Sequence, residues 1–211
     1  QFQIERGMAP GAISLPDPFQ TYLDIDAVST RDSSLWLAQI NAGLFERELR
    51  RNVKKFYEET KFIEKLNPFL KELIDDLKKE GFDIWICSAS PKWTLEPTME
   101  YLKLPMDHLI ATEVKIDGKG KLTNEAVEPI PYAEGKAQCV EKLLPGRPLL
   151  VAGNSRGDLD MLRLAAELPT REWSDRERIA VLMGLAKGTD GIAALRQMQQ
   201  YYVLWRDFAY E

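Results

Sequence analysis

The chain has 211 residues, 33 acidic against 28 basic, and a net charge of −5, which suits one large domain or a core with a small insertion. Its 45% hydrophobic and 29% charged residues are ordinary for a globular protein. No basic stripe survives the interleaved acids, which argues against a nucleic-acid-binding face, and no apolar run reaches the roughly 18 residues of a membrane span.

No secretory signal opens the chain, and its two cysteines, Cys87 and Cys139, fall in segments expected to be buried. A reduced, cytoplasmic setting is therefore expected. The first residue is Gln1, so the chain is expected to be processed, trimmed or missing its beginning.

In chain order, residues 1–18 carry Pro10, Gly11, Pro16 and Pro18 and read as a loop after a short helical remnant, Phe2–Arg6. Phe19, Tyr22 and Leu23 recur at helical spacing, as do Leu37, Ile40, Leu44, Val53 and Phe56. Residues 19–66 thus form a nearly all-helical block. Pro68 opens a further helix through Leu77, which Gly81 stops. Then the texture changes. Phe82–Cys87 reads as a strand, and a helix interrupted by Pro97 follows over Trp93–Leu104. His108–Ile116 and Lys121–Thr123 flank a turn at Asp117-Gly118-Lys119-Gly120, a hairpin pattern. A helix is expected over Ala133–Leu144, a strand over Leu149–Ala152, and a helix from Asp158. The tail, Ile179–Tyr202, reads as mostly helical. Strands alternating with helices imply an α/β fold with a Rossmann-like parallel sheet core and a small helical cap. The expected division is residues 1–18 as a remnant of the core, 19–66 as cap, and 67–211 as core with C-terminal helices.

Three places carry chemistry. Gly153-Asn154-Ser155-Arg156-Gly157-Asp158 follows a buried strand and puts oxygen donors at its C-terminal edge, where open α/β sheets bind ligands. Asn154 and Asp158 suit a hard divalent cation such as Mg²⁺, or a turn asparagine and a helix-capping aspartate. Ser88 ends a strand and suits a phosphate oxygen, or caps the next helix, although Ser90 is the better cap. Lys136 stands in the first turn of its helix, where it opposes the dipole. A point charge facing a phosphoryl group accounts for that position, and a surface lysine is the bland alternative.

Ser88-Ala89-Ser90-Pro91, Gly135-Lys136 and Gly153–Leu162 resemble motifs two, three and four of the haloacid dehalogenase superfamily, in its phosphoserine-phosphatase-like branch. The likeness runs from about Leu70 to Ala166, and the helical block is placed like that branch's cap. The resemblance implies phosphoryl transfer to an aspartate, then hydrolysis of the aspartyl phosphate, with Mg²⁺ bridging phosphate and carboxylates. It assigns Ser88, Ala89 and Lys136 to the substrate, Ser88 and Lys136 to catalysis, and Asn154 and Asp158 to the metal. A small-molecule phosphate ester is the expected partner.

Two departures stand out. Asn154 replaces the usual aspartate, which removes a negative charge. The first motif, Asp-x-Asp after a hydrophobic strand, has no convincing match. Asp24-Ile25-Asp26 sits on helical spacing and close to Ser88, so it reads as a solvated helix face, and the nucleophile is expected upstream of Gln1. The alternative is a catalytically inactive relative that binds a phosphorylated ligand or a protein partner.

Other residues lead elsewhere. His108 is the only histidine, which excludes sites needing two, and reads as strand-start packing. Cys87 faces away from Ser88 on an alternating strand. Gly184–Thr189 lacks the full phosphate-loop pattern. Trp85, Trp93, Trp173 and Trp205 read as packing, although Trp93 could line a substrate opening. Arg47, Arg50 and Arg51 are weak candidates for an anionic group.

Overall fold

The computed structural model describes residues 6–148, 150–153, 155–166 and 179–182. Residues Phe2–Glu5 of the remnant, Leu149, Asn154, Gly184–Thr189, Trp173 and Trp205 lie outside the described residues, as does the tail beyond Leu182.

The helical block begins with α1 (Pro18–Val28), started by Pro18 and capped by Asp17, whose side chain accepts from Gln20 N–H at 2.9 Å. Ser29 caps α2 (Thr30–Gln39) in the same way. The chain turns at Gly43, whose φ of 91° suits glycine, and enters α3 (Glu46–Thr60). On α3, Leu49, Val53 and Tyr57 are buried at intervals of four residues, one helical face.

The core follows. Helix α4 (Pro68–Lys79) leads to β1 (Asp83–Pro91), then α5 (Lys92–Leu102), β2 (Leu109–Thr112), the hairpin β3 (Val114–Ile116) and β4 (Leu122–Ala126), α6 (Glu134–Leu143), β5 (Leu150–Val151), α7 (Leu159–Ala166) and β6 (Ile179–Leu182). The four-stranded sheet has order β2-β1-β6-β5 and is parallel throughout. Ile84 and Ile86 pack with Leu70 and Ile74 of α4 and with Met99 and Leu102 of α5. The alternate residues Trp85 and Cys87 pack with Cys139 and Val140 of α6 and with Met161 and Leu164 of α7. Helices thus cover both faces, the arrangement a parallel sheet needs.

Four expectations need correction. Ile179–Leu182 is a strand paired on both sides rather than the start of a helical tail. Four apolar residues, two of them β-branched, suit an interior parallel strand, and such a short run carries no period to tell strand from helix. Strand β1 runs on to Pro91, so Ser88 lies inside it and not at a helix start. Neither Ser88 nor Ser90 caps α5; its N-cap is Pro91, with no side-chain cap. Pro97 is accommodated within α5 without ending it.

The hairpin turn forms where expected, but of His108–Ile116 only Val114–Ile116 flanks it, while Leu109–Thr112 belongs to the parallel sheet. Asp117 Oδ1 accepts from the N–H groups of Lys119 and Lys121 at 2.8 and 2.9 Å and closes the turn. It is stitched to the helical block: Gly43 N–H donates to Leu122 O and Leu122 N–H to Leu44 O, at 2.8 and 2.9 Å. Helix α3 leans on the first turns of α5. Arg50 makes a two-pronged pair with Glu96 at 2.8 and 2.9 Å, and Tyr57 Oη donates to Thr94 O at 2.8 Å. Those turns begin where β1 ends, so the block stands beside the C-terminal edge of the sheet.

Candidate active site

The start of α6 is held against the loop after β5. Ala133 N–H donates to Gly157 O at 3.1 Å, and Ala133 itself has a φ of 49°. That docking carries Lys136 inward. Its Nζ lies 2.6 Å from Asp158 Oδ1, with the two side chains 5% and 1% exposed. The other carboxylate oxygen, Oδ2, accepts from Ser155 N–H at 2.9 Å and Ser155 Oγ at 3.1 Å. Asp158 thus answers the question Lys136 raised: a lysine in a first turn is stabilised by a buried carboxylate directly before it, not by the helix.

Gly153 makes the approach possible. A Cβ there would overlap Asp158 Cβ, closer than two non-bonded carbons can approach. The Ser155-x-x-Asp158 spacing is a capping-box pattern in which each residue satisfies the other's end of the turn. Sequence reasoning passed over Ser155, though that spacing was there to be read.

Ser88 and Ala89 are half-buried near the C-terminal end of β1. Ser88 Oγ accepts from Ser90 N–H at 3.1 Å. The adjacent Cys87 connects this strand to the ion pair. Burial pushes its thiol up to about 12, while the Lys136 cation pulls it down and Cys139 and Asp158 push it further up. Lys136 and Asp158 therefore act electrostatically at the residue next to Ser88. Cys139, likewise buried, is raised to about 11. Neither thiol is primed for nucleophilic work.

The structure brings Lys136 and Asp158 together beside β1. Asn154 falls outside the described residues. Asp24 and Asp26 lie on α1, where Asp24 accepts from Gln20 Nε2 at 2.7 Å and Asp26 from Ser33 Oγ at 2.6 Å; they stand on a helix and not at a strand end. Trp93 is 1% exposed, inside the cluster around Leu49 and Val53, and its indole N–H donates to Glu46 at 3.0 Å. It packs, and lines no opening. Arg50 is engaged by Glu96 and Glu46, both of which raise its pKa. Arg47 lies over the Phe45 ring at 4.9 Å. His108 stacks on Trp85 at 4.4 Å, with Nδ1 3.1 Å from Ile84 O.

As a magnesium site the described residues are incomplete. Mg²⁺ asks for six oxygens in octahedral array. Among the described residues no group of three His, Cys, Asp or Glu could hold a metal, and Asp158 has both oxygens hydrogen-bonded. Of the two residues expected to hold the metal, Asp158 is among the described residues, which do not by themselves supply a full set of ligands. Nor, among the described residues, is any helix long and apolar enough to cross a membrane.

The sequence profile of haloacid dehalogenase-like hydrolases matches residues 18–163. Over 100 residues the chain is 23% identical to the chloroplastic phosphoserine phosphatase of Arabidopsis thaliana, covering 46% of this chain and 34% of that protein. The chain thus spans about a third of the length of that curated relative. Two solved structures share the fold. One, a protein of unknown function from Bordetella pertussis Tohama I, aligns with a TM-score of 0.64 at 15% identity over 77% of this chain and 76% of that one. The other, a functionally unknown protein from Anaerococcus prevotii DSM 20548, gives 0.56 at 19% identity over 78% and 49%.

Proposed function

The chain belongs to the haloacid dehalogenase-like hydrolases, and from that premise we propose that it works in a Mg²⁺-dependent phosphomonoesterase acting on a small soluble phosphate ester through an aspartyl phosphate. The observation that carries this reading is the buried Lys136–Asp158 pair beside β1. Phosphoryl transfer is catalysed almost entirely by positioning and charge, and a cation fixed in a water-poor site is worth far more than one in solvent.

In this proposal Ser88 and Ala89 hold phosphoryl oxygens, and Lys136 neutralises the charge that gathers on them. Asp158 holds Lys136 in place and would complete the metal's shell directly or through water. Asn154 would offer its amide oxygen to Mg²⁺, which would supply further charge neutralisation at the phosphate. The nucleophile of this chemistry is the first aspartate of an Asp-x-Asp motif at a strand end, which no described strand carries. Its carboxylate takes the phosphoryl group, the second aspartate of the motif gives its proton to the leaving alkoxide, and that aspartate then takes a proton from the water that frees inorganic phosphate. The similarity to a phosphoserine phosphatase makes a phosphorylated amino acid the first ester to try.

A second reading rests on a specific observation. Among the described residues, Asp-x-Asp spacing occurs at Asp24-Ile25-Asp26, on α1, and at Asp158-Leu159-Asp160, where Asp158 is paired with Lys136; neither pair directly follows a strand. A chain with no other such pair would bind a phosphorylated ligand without turning it over.

N-terminal sequencing of the natural gene product separates the two, followed by assay of phosphate release with and without Mg²⁺. An upstream strand ending in Asp-x-Asp, with Mg²⁺-dependent release lost in Ser88→Ala, supports the enzyme. A natural product starting at Gln1 that binds phosphate and releases none supports the binding protein.

A further inference from the structure

Between Cys87 and Pro91 the ladder joining β1 to β2 loses register. Cys87 stands opposite Ile110, yet Pro91 stands opposite Thr112. Ser88, Ala89 and Ser90 therefore share a bulge, and backbone groups in a bulge need partners outside the ladder. Two hydroxyls supply them. Ser88 Oγ accepts from Ser90 N–H at 3.1 Å, and Thr112 Oγ1 donates to the Ala89 carbonyl at 2.7 Å. That carbonyl and that N–H belong to one planar trans peptide. The two hydroxyls thus grip opposite ends of the same rigid plate.

A serine hydroxyl has one proton to give and two lone pairs. With Ser90 N–H on one lone pair, the Ser88 proton is directed away from Ser90, free for a ligand oxygen. Hydrogen bonds in series polarise one another. We propose that Thr112 is a positioning residue for phosphoryl recognition: Thr112 O–H, the Ala89–Ser90 peptide and Ser88 O–H form a relay that aims and strengthens the Ser88 donor. The proposal rests on Ser88 as a phosphoryl ligand. Thr112 itself is 0% exposed, so it acts through Ala89 and never touches substrate.

The test measures inorganic phosphate binding by titration calorimetry on the full natural protein. Thr112→Val keeps the shape and removes the donor; it should weaken phosphate binding about three- to tenfold, the range of one hydrogen bond. Thr112→Ser, which restores the hydroxyl, should stay within about twofold of wild type. In a Ser88→Ala background, Thr112→Val should change nothing further. Thr112→Ala carries the same expectation as valine if valine disturbs folding. Wild-type affinity in Thr112→Val, beside weakened binding in Ser88→Ala, overturns the relay and leaves the Ser88 assignment standing. An equal loss from Thr112→Val with and without Ser88 also overturns it, since the loop alone would then be loosened. Wild-type affinity in Ser88→Ala removes the phosphoryl role of Ser88, and the relay with it.

Discussion

Replacing Lys136 by methionine keeps most of the side chain's length and removes its charge. In the folded chain Nζ and Asp158 Oδ1 are 2.6 Å apart, with both side chains at or below 5% exposure. At that separation two unit charges attract by about 6 kcal/mol with an effective dielectric near 20. Desolvation of both ions offsets much of that attraction. Removing one partner, however, strands the other charge, and the measured cost is about 3–5 kcal/mol. Asp158 retains its two bonds from Ser155, at 2.9 and 3.1 Å, but both fall on Oδ2. The oxygen facing Lys136 loses its cation, so about 3 kcal/mol is expected. For a chain of this size that lowers the melting midpoint by roughly 6–12 °C. The assay is urea unfolding by circular dichroism of wild type, Lys136→Met, Asp158→Asn and the double variant. Each single change removes one member of the pair, so the double variant should cost about 2 kcal/mol less than the sum of the singles. A loss below about 1 kcal/mol for Lys136→Met, or strict additivity, would show that the pair does not hold the loop after β5 to α6.

The glycine contacts make a sharper steric prediction. Gly135→Ala would drive a Cβ into Ile130 O, and Gly153→Ala one into Asp158 Cβ; each should destabilise by about 1–3 kcal/mol or more, and unchanged melting of either variant would refute the close approach at that glycine. Cys87, with its thiol raised to about 12 chiefly by burial, should resist thiol reagents until the chain unfolds. Its folded state holds the proton more tightly than the unfolded chain, whose thiol titrates near 8.5. That contribution is whole below about pH 8.5 and is lost as pH rises towards 12. Wild type should therefore lose stability faster than Cys87→Ala between pH 8.5 and about 10.5, and parallel curves would contradict the shift. Arg50→Ala breaks the pairs with Glu96 and Glu46, but Arg50 is 46% exposed, so a cost of about 1 kcal/mol or less is expected. A larger loss in urea unfolding would make that contact a main support of the helical block. Asn154→Asp restores a carboxylate to the loop and should tighten Mg²⁺ binding; equal affinity by calorimetry would remove Asn154 from the metal's shell.

What the sequence disclosed and what it withheld divide along a physical line. Elements written in local pattern were legible: Pro68 and the following apolar spacing marked α4, Phe82–Cys87 marked most of β1, and Asp117–Gly120 marked the hairpin turn. The helical spacing around Asp24 and Asp26 likewise separated them from a strand end, and they lie on α1. Contacts between distant residues were not legible, because nothing local encodes them. Thr112 holds the carbonyl of a residue 23 positions away, and nothing around it in sequence marks that task. Ile179–Leu182 joins a sheet whose other strands come far earlier in the chain, and a run of four apolar residues has no period of its own. The extension of β1 to Pro91 was hidden for the same reason: Pro91 after two serines looks like the start of a helix, and only the pairing with Thr112 keeps it in the sheet. The ion pair sits between these cases. The dipole argument said that Lys136 needed a partner, without saying which; folding supplied Asp158, 22 residues on. A residue whose local placement is unfavourable therefore points to a nonlocal contact. At Lys136 that contact stands beside the strand that carries Ser88.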